Sequence, residues 1–236
     1  MNKDRSFAIL RVRDAFHDRG RAKEIAMTDI KDQAITEAEL ETLTRLLAKL
    51  SGQGADLPAP VFRFVTEVSA TANVDLLVRD SDKRILLAWR EDGFGRGWHV
   101  PGSIIRHRED IGHRIAACAR DEFGCAIEAA ESPVAVLQIF DDRGHTVSLC
   151  FQAKLGGQPR RRLLEEGLHP EPGDLCWFRA LPSELYPSHQ VYRDLLATLD
   201  QGGLGQGAQL FTQHVGGRDQ GQALPAGLIS VDKPLA

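Results

Sequence analysis

The chain has 236 residues, which suits one domain of ordinary size with extensions, or two small domains. Hydrophobic residues make up 42% of it, and the net charge of -4 comes from intermixed acidic and basic residues. This composition excludes a disordered chain and gives no argument for a nucleic-acid or an anionic-membrane partner. The four cysteines form no CxxC pair, no apolar run approaches the ~20 residues of a membrane span, and residues 1–7 lack a signal peptide's apolar stretch. We therefore expect reduced thiols and a cytoplasmic location.

Residues 1–57 predict a polar, helical N-terminal extension. Its clearest part begins with Thr36 and Glu39, which match a helix capping box. One apolar stripe then follows at helical spacing, formed by Leu40, Leu43, Leu47 and Leu50. The arginines between residues 11 and 21 are interleaved with acidic residues, which is typical of an exposed face. The extension could pack on the main domain, cover a site or form a homodimer contact, and the sequence leaves these alternatives open.

Residues 58–199 predict the main domain, with strands before and after a central helix. Apolar runs at 74–78 and 85–89 flank the turn-like sequence Asp80 to Lys83, so we predict two strands joined by a tight turn. Further runs predict a hairpin, one more strand and a closing helix, at 134–140 with 146–152, 175–178 and 189–199. This order is typical of an α/β or α+β domain.

The last segment, residues 200–236, is rich in Gly and Gln and has little periodicity. We expect a weakly ordered C-terminal tail, with a hydrophobic docking peptide at 224–231 as an alternative for its end.

The central helix is predicted between Pro101–Gly102 and Gly124. Its apolar residues fall at every fourth position, at Ile111, Ile115, Ala119 and Phe123. Asp121 and Glu122 stand in the last turn, where carboxylates oppose the helix dipole. One interpretation is that their charge binds a divalent cation, which prefers oxygen ligands; the other is a solvated helix end.

The stretch from Asn73 through this helix resembles a Nudix hydrolase domain. The spacing of the Nudix box is intact from Ser103 to Gly124, with Glu109 at the first acidic position. Within the family, residues 58–196 are most similar to the branch of GDP-mannose mannosyl hydrolase. The resemblance implies a Nudix-type α/β/α sandwich with a mixed β-sheet, beside the helical N-terminal extension.

The box is degenerate at several positions. Ser103 replaces a Gly, Ala117 replaces the Arg that would hold Glu109, and Cys118 replaces a Glu that is often a metal ligand. Asp121 replaces the first Glu of the Glu-Glu pair. A thiol is a poor magnesium ligand because soft sulfur prefers softer metals, so an arrangement of two or three ions is not expected.

The mannosyl hydrolase branch implies a single Mg²⁺, with Mn²⁺ as the alternative ion. Its ligands correspond to the carbonyl of Gly102, to Glu122 and to Gln138, with Asp121 as an extra ligand and water and substrate phosphates completing the shell. The alternative for Gln138 is a polar residue on the solvent face of a strand.

The catalytic groups predicted from the resemblance are Glu109, Asp121, Glu122 and His145. Ile139 occupies the position of the branch's general base, so His145 is the nearest replacement, since an imidazole takes a proton near neutral pH. A structural or merely exposed His145 is the alternative.

Three residues are predicted to bind substrate. Arg90 suits diphosphate oxygens, because a guanidinium matches phosphate geometry; Arg106 is a weaker candidate. Trp98 could stack on a ring or pack in the core. Asp75, a charge within an apolar strand, could hold a sugar hydroxyl.

The predicted function is a Mg²⁺-dependent hydrolase of a nucleoside diphosphate-linked substrate, an NDP-sugar such as GDP-mannose. The sequence does not decide between attack at phosphorus and attack at the sugar carbon. The alternative is a catalytically impaired Nudix-like module that binds nucleotide sugars or regulates a partner.

Overall fold

A computed structural model describes residues 34–51, 57–202 and 208–215. The chain divides into two compact units, residues 1–62 and 63–236. The predicted basic segment at 11–21 and the docking peptide at 224–231 lie outside the described residues. The predicted domain boundaries after residues 57 and 199 stay predictions.

Helix α1 (Glu37–Ser51) belongs to the first unit and starts at the predicted capping box. The backbone N–H of Thr36 donates to a carboxylate oxygen of Glu39 at 2.9 Å, and the backbone N–H of Glu39 donates to the Thr36 hydroxyl at 3.3 Å. Helix α2 (Ala59–Val68) runs across the division between the units. A homodimer through the leucine stripe of α1 stays a prediction. No helix in the described segments is long and apolar enough to cross a membrane.

The described part of the second unit contains ten strands, two complete helices, the end of α2 and a 3-10 turn. The strands are β1 (Thr71–Val78), β2 (Ile85–Asp92), β3 (Gly95–His99), β4 (Gly102–Ile104), β5 (Ile127–Ala129), β6 (Ala135–Asp141), β7 (Gly144–Leu155), β8 (Leu163–Leu164), β9 (Leu175–Phe178) and β10 (Gln209–His214). The helices are α3 (Ile111–Glu122) and α4 (Val191–Asp200), and the 3-10 turn is Pro187–His189.

The strands form two mixed sheets. The first has the order β10-β6-β7-β1-β4, with β5 also paired to β7, and the second has the order β3-β2-β9-β8. The pairs β1 with β7, β6 with β10 and β8 with β9 are parallel, and the remaining pairs are antiparallel.

The apolar part of β2 is buried on both faces, and a different helix packs against each face. On β2, Leu87 and Trp89 pack in one cluster with residues of α4, which we call the α4 core. Leu86 and Ala88, which alternate with them, pack in a second cluster with residues of α3, the α3 core. The alternation confirms the predicted α/β/α layering with mixed sheets, in an α+β unit.

The first predicted hairpin is wrong in its pairing. The turn at residues 80–83 is present, held by hydrogen bonds from the backbone N–H groups of Asp82 and Arg84 to the Asp80 carboxylate. Beyond one bridge between Arg79 and Ile85, however, β1 and β2 separate into different sheets. Strands buried on both faces carry continuous apolar runs, which contain no signal for the partner strand.

The expectation of a weakly ordered tail is wrong for residues 209–214, which form β10. This strand pairs in parallel with β6 over its full length, from Gln209 opposite Ala135 to His214 opposite Phe140. Phe211 packs against the α4 core, while Leu210 and Thr212 are exposed. The short alternation of apolar and polar residues was the available signal for this strand. The sequence does not indicate which strand it pairs with.

Candidate functional site

Helix α3 is bounded as the sequence predicts, and this fixes the position of Glu122 at its end. The carboxylate of Asp110 accepts a hydrogen bond from the backbone N–H of His113 at 3.2 Å and caps the first turn. Gly124 has φ +69° and donates to the carbonyl groups of Ala119 and Arg120, which terminates the helix.

The loop before α3 is fixed by an ion pair that the sequence did not predict. Arg114 donates from Nε and Nη2 to the two carboxylate oxygens of Glu109, each at 2.7 Å, and from Nη1 to the Ser103 hydroxyl at 3.1 Å. The side chains of Arg114 and Glu109 are only 6% and 8% exposed. Arg114 therefore replaces the arginine that is missing at Ala117, one turn earlier in the helix.

Glu109 is ionised and saturated in this arrangement. The hydrogen bonds from Arg114 are the main reason that its pKa is lowered to about 2. Its Oε2 also accepts the backbone N–H of Arg106 at 2.9 Å. These contacts give Glu109 a structural part in the loop before α3, and the catalytic role that the sequence predicted stays a prediction.

Glu122, at the end of α3, has no charged ion-pair partner among the described residues. Its side chain is 29% exposed, and the nearest basic atom that forms a pair with it is Nε2 of His99, at 3.8 Å. Burial lowers the pKa of His99 to about 3, so this imidazole is neutral and does not compensate the carboxylate. Burial also raises the pKa of Glu122 to about 7, against the opposing charges of Arg90 and Arg161. A carboxylate that is partly removed from water and has no charged partner is stabilised in its ionised form by a bound cation.

The residues around Glu122 fit one hard cation and not a centre of several ions. In the described part of the chain, no three His, Cys, Asp or Glu side chains are grouped so that they could hold a metal. Cys118 is buried in the α3 core, and burial raises its pKa, so the thiol stays neutral. Asp121 is exposed, and its backbone carbonyl accepts a hydrogen bond from Arg161 at 2.7 Å. A single ion here would draw most of its oxygen ligands from solvent and substrate.

Asp75 and Gly102 lie opposite each other on β1 and β4. A Cβ atom at position 102 would lie 2.0 Å from Oδ1 of Asp75, so only glycine fits. Oδ2 of Asp75 accepts hydrogen bonds from the hydroxyl groups of Ser148 on β7 and Tyr192 on α4. Burial raises the pKa of Asp75 to about 6. The carboxylate therefore joins three elements directly beneath Gly102, and its predicted contact with a sugar hydroxyl stays a prediction.

Arg90 lies at the edge of the same region. Its Nε donates to Asp92 at 2.6 Å, and its guanidinium carbon lies 5.3 Å from the centre of the Tyr186 ring. The hydroxyl of Tyr186 donates to the other oxygen of Asp92 at 2.7 Å. The positive charge of Arg90 lowers the pKa of Glu122, against the larger opposite effect of burial.

Trp98 is a core residue, and its predicted role in stacking on substrate is wrong. It is 6% exposed, with its ring centre 5.4 Å from that of Trp89 and 5.0 Å from that of Phe178, both in edge-on geometry. The alternation along β3 directs Trp98 into the α4 core, which leaves no room for a ligand.

Gln138 and His145 contact each other, with 3.0 Å between their side-chain nitrogens. His145 also stacks on Phe140 at 4.4 Å. Because Leu137 and Ile139 point into the α4 core, Gln138 lies on the face of β6 opposite to that core. Among the described residues, no hydrogen bond or ion pair joins Gln138 or His145 to the end of α3. Their roles as metal ligand and general base stay predictions.

Two buried histidines near Glu122 were missed in the sequence. The rings of His99 and His189 lie 5.7 Å apart, and Nδ1 of His189 accepts the backbone N–H of Val100 at 3.1 Å. Burial lowers the pKa of His189 well below its usual value, so both rings are neutral. The available signal for His99 was its place directly before the Val100-Pro101-Gly102 turn.

No protein-family model and no curated protein matches this sequence. Among solved structures, an ADP-ribose pyrophosphatase from Streptococcus suis shares 18% identity, with 60% of this chain and 99% of that chain covered, at a TM-score of 0.44. A UDP-X diphosphatase shares 21% identity, covering 75% of this chain and 89% of that chain, at a TM-score of 0.46. A Nudix hydrolase from Nitrosomonas europaea shares 15% identity, covering 61% of this chain and 80% of that chain, at a TM-score of 0.45. At these values the likeness carries no argument about function, which depends on the side chains of this chain.

Proposed function

We propose that this chain is a Nudix-type hydrolase of a nucleoside diphosphate-linked substrate, with an NDP-sugar such as GDP-mannose as the favoured class. The observation that carries the proposal is the half-buried carboxylate of Glu122 at the end of α3, whose ion-pair partner among the described residues is the neutral His99, at 3.8 Å. The charge of Arg90 lowers the pKa of this carboxylate, against the larger effect of burial. A carboxylate and an arginine in this relation suit a metal-bound diphosphate.

The residues divide the work of binding and support. Glu122 would hold the ion, Mg²⁺ or Mn²⁺, and the ion when bound supplies charge neutralisation on the diphosphate leaving group. Arg90 binds diphosphate oxygens. Asp75 fixes the β1–β4 pair beneath Gly102, so that the backbone there keeps its position when substrate binds. Arg114 and Glu109 hold the loop that leads into α3.

The test is a screen of nucleoside diphosphate sugars and dinucleotides with Mg²⁺ and with Mn²⁺, in heavy-oxygen water and with mass spectrometry of the products. Glu122→Gln is compared with Glu128→Gln, which removes an exposed carboxylate from β5. The proposal requires turnover that Glu122→Gln abolishes and Glu128→Gln retains. Label in the sugar would place the attack at carbon, and label in phosphate would place it at phosphorus.

The states of two box residues, Glu109 and Cys118, favour a second function. Since Glu109 is saturated and Cys118 is a buried neutral thiol, the described part of the site offers few metal ligands. A nucleotide-sugar binding or regulatory module would need no further metal ligands. In that case, a nucleotide sugar raises the melting temperature of the protein by binding linkage, while no compound of the screen is hydrolysed.

A further inference from the structure

Two arginine side chains from different sheets meet at one aromatic ring. The guanidinium carbons of Arg90, on β2, and Arg143, in the turn between β6 and β7, lie 5.3 Å and 5.9 Å from the centre of the Tyr186 ring. Tyr186 is 1% exposed, and its hydroxyl donates to Asp92 at 2.7 Å. The ring is therefore a rigid platform for both cations.

In each arginine, Nε donates to a carboxylate, and the Nη atoms at the end of the side chain remain accessible to a ligand. Nε of Arg90 donates to Asp92 at 2.6 Å, and Nε of Arg143 donates to Asp141 at 3.3 Å. Among the described residues, the Nη atoms of both side chains donate no hydrogen bond. Arg90 and Arg143 are 40% and 25% exposed, so these donors can be reached by a ligand.

Both arginines act electrostatically on buried groups of the candidate site. The charges of both arginines contribute, after burial, to the lowered pKa of His99 and of His189. Arg143 also lowers the pKa of the buried Asp75, and Arg90 that of Glu122, in each case against the larger effect of burial. The two positive charges thus act on the same two histidines and on one carboxylate each.

We propose that Arg90 and Arg143, held on Tyr186, form a two-arginine clamp for the diphosphate group of the ligand. Free Nη atoms on two planar guanidinium groups match a pair of phosphates, because each group can donate two parallel hydrogen bonds. Arg143 is the new member, and it binds and orients the diphosphate without taking part in bond breaking. The clamp deepens the proposed function, since it assigns the substrate's diphosphate to a particular pair of side chains.

The test measures binding without metal, so that it is independent of hydrolysis. Titration calorimetry in EDTA compares GDP, inorganic pyrophosphate and guanosine on the wild-type protein and on Arg143→Gln and Arg90→Gln. The matched control is Arg84→Gln, because Arg84 also pairs with a carboxylate, Asp80, and lies 5.8 Å from an aromatic ring, that of Trp177, but has no second arginine on that ring.

The clamp predicts that GDP and pyrophosphate bind and guanosine does not. The affinity for GDP should fall about tenfold or more in Arg143→Gln and in Arg90→Gln, as for the loss of charge-assisted hydrogen bonds, and stay unchanged in Arg84→Gln. Arg143→Lys, which keeps the charge and loses the fork, should give an intermediate loss and guards against a folding defect of the glutamine variant.

Several results would overturn the clamp. These are wild-type affinity for GDP in both Arg143 variants, equal losses in Arg84→Gln, equal binding of guanosine and GDP, or no binding of GDP and pyrophosphate to the wild type. None of them decides whether the protein hydrolyses a substrate, which is tested separately by turnover and Glu122→Gln. Conversely, an inactive protein that binds GDP through Arg143 would retain the clamp and lose the hydrolase proposal.

Discussion

Arg114 grips both carboxylate oxygens of Glu109 and so ties the first turns of α3 to the loop that precedes it. The pair is almost completely buried and also holds the Ser103 hydroxyl. The contact with Glu109 that an arginine at position 117 would make is thus made by Arg114, three positions earlier. The loop before α3 is therefore held in place although position 117 carries no arginine.

Removing one member of this buried pair should strongly destabilise the second unit. Arg114→Met leaves the buried Glu109 carboxylate without its arginine partner, which costs roughly 3 kcal/mol of unfolding free energy. The matched variant is Arg120→Met, which removes an exposed arginine from the same helix. Urea unfolding compares the two, and equal midpoints would contradict the structural role of the pair.

The same pair predicts a dependence of stability on pH. Because the pKa of Glu109 is lowered to about 2, below its value of about 4.3 in an unfolded chain, its ionised form stabilises the native state. This contribution is complete above about pH 5 and is lost as the pH falls towards about 2. The difference in unfolding free energy between the wild type and Glu109→Gln should therefore shrink over this range. Glu128→Gln shows the effect of removing an exposed carboxylate, and a difference that stays constant with pH would refute the prediction.

Gly102 should not tolerate even a methyl group. In Gly102→Ala the new Cβ would meet Oδ1 of Asp75 at 2.0 Å, and Asp75 cannot move without breaking its bonds to Ser148 and Tyr192. We expect a loss of at least about 2 kcal/mol, typical of an overpacked core. The control is Gly157→Ala, where an added Cβ meets no atom within 4 Å. Similar melting temperatures for the two variants would show that the β1–β4 pair adjusts freely.

Gln213 links β10 to the start of α4. Its Oε1 accepts the backbone N–H of Val191 at 2.6 Å, and its Nε2 donates to the carbonyl of Pro187 at 3.0 Å. Gln213→Ala leaves these backbone groups without the amide partner and should cost about 1–2 kcal/mol. Thr212→Ala, on the exposed face of the same strand, should cost much less, and chemical denaturation of both variants gives the comparison.

The parts of the fold that local rules determine could be predicted from the sequence. Helix α3 has a capping Asp110, a regular apolar stripe and a terminating Gly124, and all three signals are local. The β6–β7 hairpin was equally accessible, because its turn residues separate two short apolar runs. The pairing of β1 with β7, by contrast, joins strands that are far apart in the chain and whose apolar runs do not specify a partner.

The candidate site was likewise predictable only where the signal was local in the sequence. Glu122 and Arg90 were named as candidates because their positions match a spaced motif and its branch. Arg143 was not, because nothing in the turn between β6 and β7 indicates that its side chain reaches Tyr186. Trp98 was misassigned because the face of a five-residue strand becomes known only when its pairing with β2 is known.

The parallel pairing of β10 with β6 has a practical consequence for anyone who shortens this chain. A fragment that ends after α4, where composition alone suggests a dispensable tail, would remove the outermost strand of the larger sheet. The backbone N–H and C=O groups of β6 would then lie open along a seven-residue edge beside a hydrophobic layer. Such an edge recruits strands from other molecules, so the trimmed protein should precipitate where the full-length chain stays dispersed.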